Sequence, residues 1–262
     1  MLEARLPQAS ILKKIVESVK DLVSQANFDC SDSGISFQAM DESNIALSSF
    51  LLRADGFDPY RCDRNLSLGI KFASLSKILK CAGNDDVVII RYMDDADILS
   101  LVFESPNNER ISEFDIKLLD IDSEYLSIPD QEFECKVKMS SSEFSRICRD
   151  LMTIGASVVI DATKEGVKFS ATGDDGSGSV LLKQSGSIDN EGRGVVGTSV
   201  EMVEPVSLEL SLKYLNNFTK AAPLSDSVAI NMSNGIPVMF QFDVGDIGYI
   251  RYFLAPQIKD DD

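Results

Sequence analysis

Four stretches of the chain repeat apolar side chains every three to four positions, the spacing of an amphipathic helix. Residues 9–22 align Leu12, Ile15, Val16, Val19 and Leu22, and residues 72–82 align Leu75, Ile78, Leu79 and Ala82. A third helix is predicted over 141–153, burying Phe144, Ile147, Cys148 and Leu151. It is announced by Ser140 with Glu143 three residues on, a capping-box pattern. A fourth is predicted over 210–222, burying Leu212, Leu215, Phe218 and Ala222, with Pro223 as its stop. Between these helices the period falls to two, as in Ile35–Ala39 and Leu66–Ile70, or becomes short and continuously apolar, as in Val87–Ile90 and Ile98–Phe103. Turn signals such as Asp32-Ser33-Gly34 and Lys164-Glu165-Gly166 punctuate the runs. Many strands and two helices per half predict an α+β fold of antiparallel sheet with helices on one face.

The two halves are copies. At an offset of 132, Leu12 meets Phe144, Ile15 meets Ile147, Gly34 meets Gly166, Phe37 meets Phe169 and Ala39 meets Ala171. At an offset of 140, Leu68 meets Leu208, Leu75 meets Leu215, Lys80 meets Lys220, Ala82 meets Ala222 and Val88 meets Val228. The difference, 140 − 132 = 8, is an insertion expected in the Gly/Ser-rich stretch Gln184–Ser199. Between the copies, Leu118–Glu132 holds no sustained period, several acids and Pro129. It reads as an interdomain linker, yet it exposes apolar residues that a passive tether seldom needs.

The 262 residues include 44% hydrophobic side chains, enough for a sizeable core. No run of about 18 apolar residues is present to span a membrane, and the N-terminal sequence lacks the basic-then-apolar order of a secretory signal. The cysteines, Cys30, Cys62, Cys81, Cys135 and Cys148, are odd in number and form no CxxC. Buried reduced thiols are expected, in a cytosolic or nuclear setting, and no zinc site. The absence of histidine removes histidine-based triads and histidine metal sites.

The net charge is −17, which taken alone argues against nucleic acid. Its placement changes that. The four predicted helices carry nine basic residues against four acids, +5, leaving −22 for the remainder. The cations oppose the apolar stripes: in the fourth helix Lys213, Asn216, Asn217 and Lys220 share a face away from Leu212, Leu215 and Phe218. Lysine-rich contacts of this kind hold phosphate without reading bases.

Other patterns carry no chemistry. Gly192-Arg193-Gly194-Val195-Val196-Gly197 matches GxGxxG but follows a polar loop and precedes a strand-like run, the wrong context for a dinucleotide site. Gly176-Ser177-Gly178 lacks a phosphate-binding lysine. Asp94, Asp95 and Asp97 lie in a turn, and Asp120, Asp122 and Glu124 lack a calcium-loop glycine.

The segments Tyr60–Leu66 (YRCDRNL) and Leu75–Asn84 (LSKILKCAGN), with Ser10–Lys14, Phe144–Leu151 and the ending Leu254-Ala255-Pro256, closely resemble the proliferating cell nuclear antigen family of eukaryotic DNA sliding clamps. The resemblance covers essentially the whole chain. It implies two similar clamp domains of antiparallel sheet with two helices each, 1–117 and 135–256, joined by a connecting loop 118–134 and followed by an acidic tail 257–262. It also implies a closed homotrimeric ring of pseudo-sixfold symmetry, with helices facing duplex DNA. Such a clamp is a nuclear, non-enzymatic processivity factor without cofactor or metal. Its partners would be duplex DNA without sequence specificity, the replicative polymerase, the clamp loader, flap endonuclease, DNA ligase and other clamp-binding-motif proteins, with no membrane.

Residue by residue, the resemblance implies DNA contact through Arg5, Lys13, Lys14, Lys20, Arg61, Arg64, Lys77, Lys80, Arg146, Arg149, Lys213 and Lys220. Partner peptides would dock on Met40, Asn44, Ile45, Leu47, Leu126, Ile128, Pro129, Pro237, Phe253, Leu254, Ala255 and Pro256. Asn44 stands where the family usually has a basic or histidine side chain, and Phe253 where tyrosine is frequent. The trimer contact would use Arg110, Phe114 and Lys117 on edge strand 110–117 and Gly178 and Val180 on edge strand 176–183, with Phe114 near Leu151 and Ile154 of the neighbouring copy. Lys164 matches the lysine that accepts ubiquitin or its relatives. Two other readings remain open at this point. The cationic faces could bind an acidic protein partner, or clustered carboxylates could serve a nuclease, although the acids here populate turns.

Overall fold

The computed structural model describes residues 1–94, 96–122, 126, 132–185 and 197–257. The chain parts into two units, Met1–Ser127 with Val244–Ile250, and Ile128–Asp243 with the segment from Arg251 on.

In the first unit the strands are β1 (Leu2–Leu6), β2 (Gln25–Ser31), β3 (Gly34–Met40), β4 (Ala46–Arg53), β5 (Tyr60–Cys62), β6 (Leu66–Lys71), β7 (Val87–Tyr92), β8 (Ile98–Glu104) and β9 (Ile111–Lys117). Helices α1 (Ala9–Val19) and α2 (Phe72–Leu79) complete it. The strands order as β5-β1-β7-β8-β9 and as β4-β3-β2-β6, every pairing antiparallel. The second unit has β10 (Cys135–Ser140), α3 (Ser141–Met152), β11 (Ser157–Thr163), β12 (Gly166–Gly173), β13 (Gly176–Lys183), β14 (Ser199–Met202), β15 (Val206–Ser211), α4 (Leu212–Phe218), β16 (Ser227–Met232) and β17 (Val238–Val244). The last strand, β18, is Gly248–Leu254. Here the orders are β14-β10-β16-β17 and β13-β12-β11-β15, again antiparallel. The α+β reading holds: antiparallel sheets with four α-helices among the described residues.

Strand register reproduces the duplication. Gln25 faces Lys71 across β2 and β6, and Ser157 faces Ser211 across β11 and β15, offsets of 132 and 140. Register also relocates the insertion. Gly34 faces Arg53, whereas Gly166 faces Lys183, so β13 stands at an offset of only 130. The second unit is thus two residues shorter at the β12–β13 turn and 140 − 130 = 10 residues longer after β13. The expected eight is the net of both changes. The base of that longer connection is closed by Ser185 N–H on the Thr198 carbonyl and Thr198 N–H on Ser185 Oγ. Most of the GxGxxG match, 192–196, lies outside the described residues.

Helix boundaries follow local chemistry. Ser140 Oγ accepts from the Glu143 backbone N–H, as the capping pattern predicts. Leu12, Ile15, Val16, Val19 and Leu22 are buried, as are Phe144, Ile147, Cys148 and Leu151. The fourth helix differs from expectation. Its α-helical part ends at Phe218, and a 3₁₀ segment, Thr219–Leu224, carries Pro223 inside it and leaves Ala222 half-buried.

Each unit has an aromatic core, drawn from β2, β3, β4 and α2 in the first and from α3, α4, β17 and β18 in the second. In the first, Phe28, Phe37, Phe50 and Phe72 form edge and tilted contacts at centroid distances of 5.2–6.1 Å. In the second, Phe218 stacks on Tyr252 at 4.4 Å and meets Phe240 at 5.6 Å, and Phe240 stacks on Phe144 at 5.7 Å. All four of these rings are fully buried. Phe218→Ala should therefore cost about 3–5 kcal/mol through lost burial and the cavity left behind. A urea titration should show the midpoint falling, and an unshifted midpoint would mean that this cluster does not limit stability.

Three cysteines, Cys30, Cys135 and Cys148, are buried as expected, but Cys62 is half-buried and Cys81 is exposed. Burial pushes the Cys135 thiol up to about 11 and the Cys30 and Cys148 thiols higher still, which leaves them inert as nucleophiles. Cys81 follows the last turn of α2, on the solvent side of the apolar stripe. Helix periodicity there buries Leu79 and Ala82 instead.

Candidate functional site

In the first unit, the β3–β4 connection is built on Asp41. Its nearly buried carboxylate accepts backbone N–H groups from Ser43 at 3.2 Å and from Ile45 and Ala46 at 2.8 Å each. This local capping lets Asn44 adopt φ +56°, a left-handed conformation that asparagine tolerates. Beside this loop lies a cleft of about 460 Å³, lined by Gln25, Ala26, Gln38, Ala39, Met40, Asn44, Leu47, Ile121, Asp122 and Leu126. The volume falls in the usual range of roughly 300–1,000 Å³ for ligand pockets.

The linker residues are stitched to the sheet. Leu119 N–H donates to the Gly69 carbonyl at 2.9 Å, Asn27 Nδ2 donates to the Ile121 carbonyl at 2.9 Å, and Leu126 N–H donates to Gln38 Oε1 at 2.8 Å. Gly69 has to be glycine here, because a Cβ would stand 2.1 Å from the Leu119 carbonyl oxygen.

Of the expected docking residues, Met40, Asn44, Leu47 and Leu126 line the cleft. Ile45 is exposed next to it. Ile128 and Pro129 lie outside the described residues. In the second unit, Pro237 and Ala255 are exposed, Phe253 and Pro256 half-buried, and Leu254 wholly buried in the core. Sequence reading missed Gln25, Ala26, Gln38, Ala39, Ile121 and Asp122. The alternation of Ser36 and Gln38 with the buried Ile35 and Phe37 along β3 was the available signal for Gln38.

The twelve expected DNA-contacting cations divide by element. Helices α1 and α2 pack on each other and bring together Lys13, Lys14, Lys20, Lys77 and Lys80. Helices α3 and α4 do the same for Arg146, Arg149, Lys213 and Lys220. Lys14, Lys77, Lys80, Arg146, Arg149, Lys213 and Lys220 are exposed, and Lys13 and Lys20 half-exposed.

Several already have partners. Lys13 Nζ donates to the Ala82 carbonyl at 2.6 Å and to Asn84 Oδ1 at 3.2 Å. Lys20 pairs with Glu17 at 2.7 Å, and that hydrogen bond holds the lysine above its ordinary value. Burial alone would raise Glu17, but the hydrogen bonds from Lys20 and Ser76 outweigh it and hold the carboxyl low. Arg146 faces Glu143 and Asp150 at 3.7 and 3.9 Å. Lys77, Arg149 and Lys213 make no side-chain hydrogen bond or ion pair among the described residues.

Arg5, Arg61 and Arg64 sit elsewhere, around the β1–β5 ladder. Arg5 reaches Glu104 at 3.4 Å, Arg61 grips Asp63 at 2.7 Å and Arg64 reaches Asp94 at 3.2 Å. The Arg61 hydrogen bond keeps Asp63 below the usual carboxylate range. These arginines neutralise their own acids, whereas the helix set includes cations left facing solvent.

Residues 1–125 match the family model of the proliferating cell nuclear antigen N-terminal domain, and residues 127–257 that of its C-terminal domain. The chain belongs to the proliferating cell nuclear antigen family. Proliferating cell nuclear antigens are DNA sliding clamps that serve replication as processivity factors, and they are not enzymes. The family engages DNA, polymerase and other clamp-binding partners in general. No described helix is long and apolar enough to cross a membrane. Among the described residues no group of three or more acidic or cysteine side chains is placed to hold a metal ion.

The remaining expected residues take definite places. Strands β9 and β13 are sheet edges, as predicted. Phe114 on β9 is half-buried, with its ring 5.6 Å from Phe103. Arg110 binds the buried Asp86 carboxylate at 2.7 Å within its own unit. Lys117 is exposed; Ile154, Gly178 and Val180 are half-buried. Leu151 is buried in its own core. Lys164 is exposed in the β11–β12 turn.

Proposed function

We propose that this clamp closes as a homotrimeric ring around duplex DNA in the nucleus and recruits replication and repair proteins through the linker cleft. Charge placement is the observation that carries the reading: cations concentrate on four helices of a chain whose net charge is −17. The two clamp domains would be 1–117 and 135–256, with the connecting loop 118–134 and the acidic tail 257–262 as appendages. Edge strands β9 and β13, unpaired on their outer sides among the described residues, would close the ring by adding to each other between copies. Lys77, Arg149 and Lys213 would lead the phosphate contacts. Arg5, Arg61 and Arg64, held by carboxylates, would contribute long-range potential at most. Polymerase, clamp loader, flap endonuclease and ligase would share the cleft, and the exposed amine of Lys164 suits a modification site. Solution mass tests the ring: about three times 28.7 kDa is expected, and a stable monomer at micromolar concentration would sink it.

The cleft makes a separate prediction. Leu126 is 42% exposed and forms part of the cleft lining, where a partner aromatic could anchor. Leu126→Ala should weaken a synthetic clamp-binding-motif peptide by about 1 kcal/mol, roughly fivefold, without loss of the trimer. Calorimetry showing the wild-type affinity would make the linker only a tether.

A further inference from the structure

Two side-chain amides on neighbouring strands hold the linker from below. Asn27, on β2, is 8% exposed and donates Nδ2 to the Ile121 carbonyl; Gln38, on β3, accepts the Leu126 N–H. Ile121 and Leu126 both line the cleft, so the clasps act at two points of its linker side.

The duplicated unit shows what these strands carry without that clasp. Asn27 faces Gly69, and its counterpart Val159 faces Glu209. Gln38 faces Ser49, and its counterpart Ser170 faces Ser179. The second unit thus places an apolar residue and a serine whose buried hydroxyl has no partner among the described residues. A near-buried amide is costly unless bonded, and Val159 shows that the strand itself does not require one. The amides coincide with the linker they bind.

We infer that Asn27 and Gln38 are positioning residues that hold the linker at the cleft before a partner arrives and thereby set partner affinity. The inference rests on the peptide-docking reading. An acidic segment with little core of its own would otherwise be ordered at the moment of binding, and that ordering entropy would be subtracted from affinity.

The test uses the full-length protein and a synthetic clamp-binding-motif peptide with an aromatic anchor. Three variants separate clasp from contact. Gln38→Met removes the acceptor at similar length, Gln38→Glu keeps an acceptor, and Asn27→Val installs the residue that the second unit carries in equivalent register. In the free protein, the Leu126 amide of Gln38→Met should exchange with solvent about tenfold faster, and peptide Kd should rise about tenfold in Gln38→Met and Asn27→Val. Gln38→Glu, which keeps an acceptor, should return both readouts from their Gln38→Met values toward wild type.

Faster Leu126 exchange with wild-type Kd in Gln38→Met would overturn the inference, and so would unchanged exchange in that variant. Failure of the wild-type protein to bind the peptide at all would instead overturn the docking reading, and the inference with it. Melting temperature and solution mass, measured on every variant, identify any that has lost its fold. Gln38→Glu, which restores the oxygen acceptor that Gln38→Met removes, then decides the outcome.

Discussion

Clamp loaded onto nicked circular DNA is expected to survive gel filtration in high salt and to be lost as soon as the circle is cut. Direct contact cannot supply such retention. Nine helix cations are available, but Lys13, Lys20 and Arg146 are engaged within their own units, and the chain as a whole carries −17. Each phosphate neutralised adds about 0.9 to the slope of log affinity against log salt, so a surface binder with few contacts detaches as salt rises. A closed ring escapes that limit, because leaving a circle requires breaking a subunit contact. Replacing Lys77, Arg149 and Lys213 together by alanine should impair loading or sliding and leave most of the retention on circles intact. Equal retention on circular and linear DNA would make the protein an ordinary surface binder.

Phe114→Ala should convert the ring to smaller species at low concentration. The residue lies on edge strand β9 and is only half-buried within its own chain, with Phe103 on one side. If strand addition by β13 of a neighbour completes its burial, truncation should cost about 3–5 kcal/mol, shared between its own unit and the subunit contact. Sedimentation velocity over a dilution series reads the subunit part, and urea unfolding reads the rest. An undiminished trimer at nanomolar concentration would place the interface elsewhere.

The parts of the molecule visible in the sequence were those fixed by which side of an element is buried. Leu12, Ile15 and Val19 announced α1, and matched residues such as Phe37 and Phe169 announced the duplication, because periodic burial leaves a periodic record. The edge strands and the helix cations were legible for the same reason. What stayed hidden depends on partners distant in sequence. Nothing local to Asn27 shows that its amide meets Ile121, nor that Asp86 waits for Arg110. Arg64 matched a family position, yet its carboxylate partner Asp94 emerges only when β5 folds near the β7–β8 turn. Pro223 was read as the stop of an α-helix running to Ala222, but the α-helix ends at Phe218 and Pro223 lies inside the 3₁₀ segment that follows, a change of helix type that apolar spacing alone does not show. The insertion was misapportioned because apolar identities cannot show that the β12–β13 turn is two residues shorter.

That shortened turn bears on valency. Six residues, 41–46, separate the paired Met40 and Leu47, whereas four, 173–176, separate the paired Thr172 and Ser177. The longer span lets Asp41 gather three backbone N–H groups and build a wall; the shorter one closes as a tight hairpin around Asp174 and Asp175. Two repeats of one ancestral plan have therefore become unequal hosts. On the proposed reading, each chain brings a single berth despite its internal duplication. A three-membered ring would then carry three clients at most through this surface, and tools working on the same stretch of DNA would have to take turns or share by subunit.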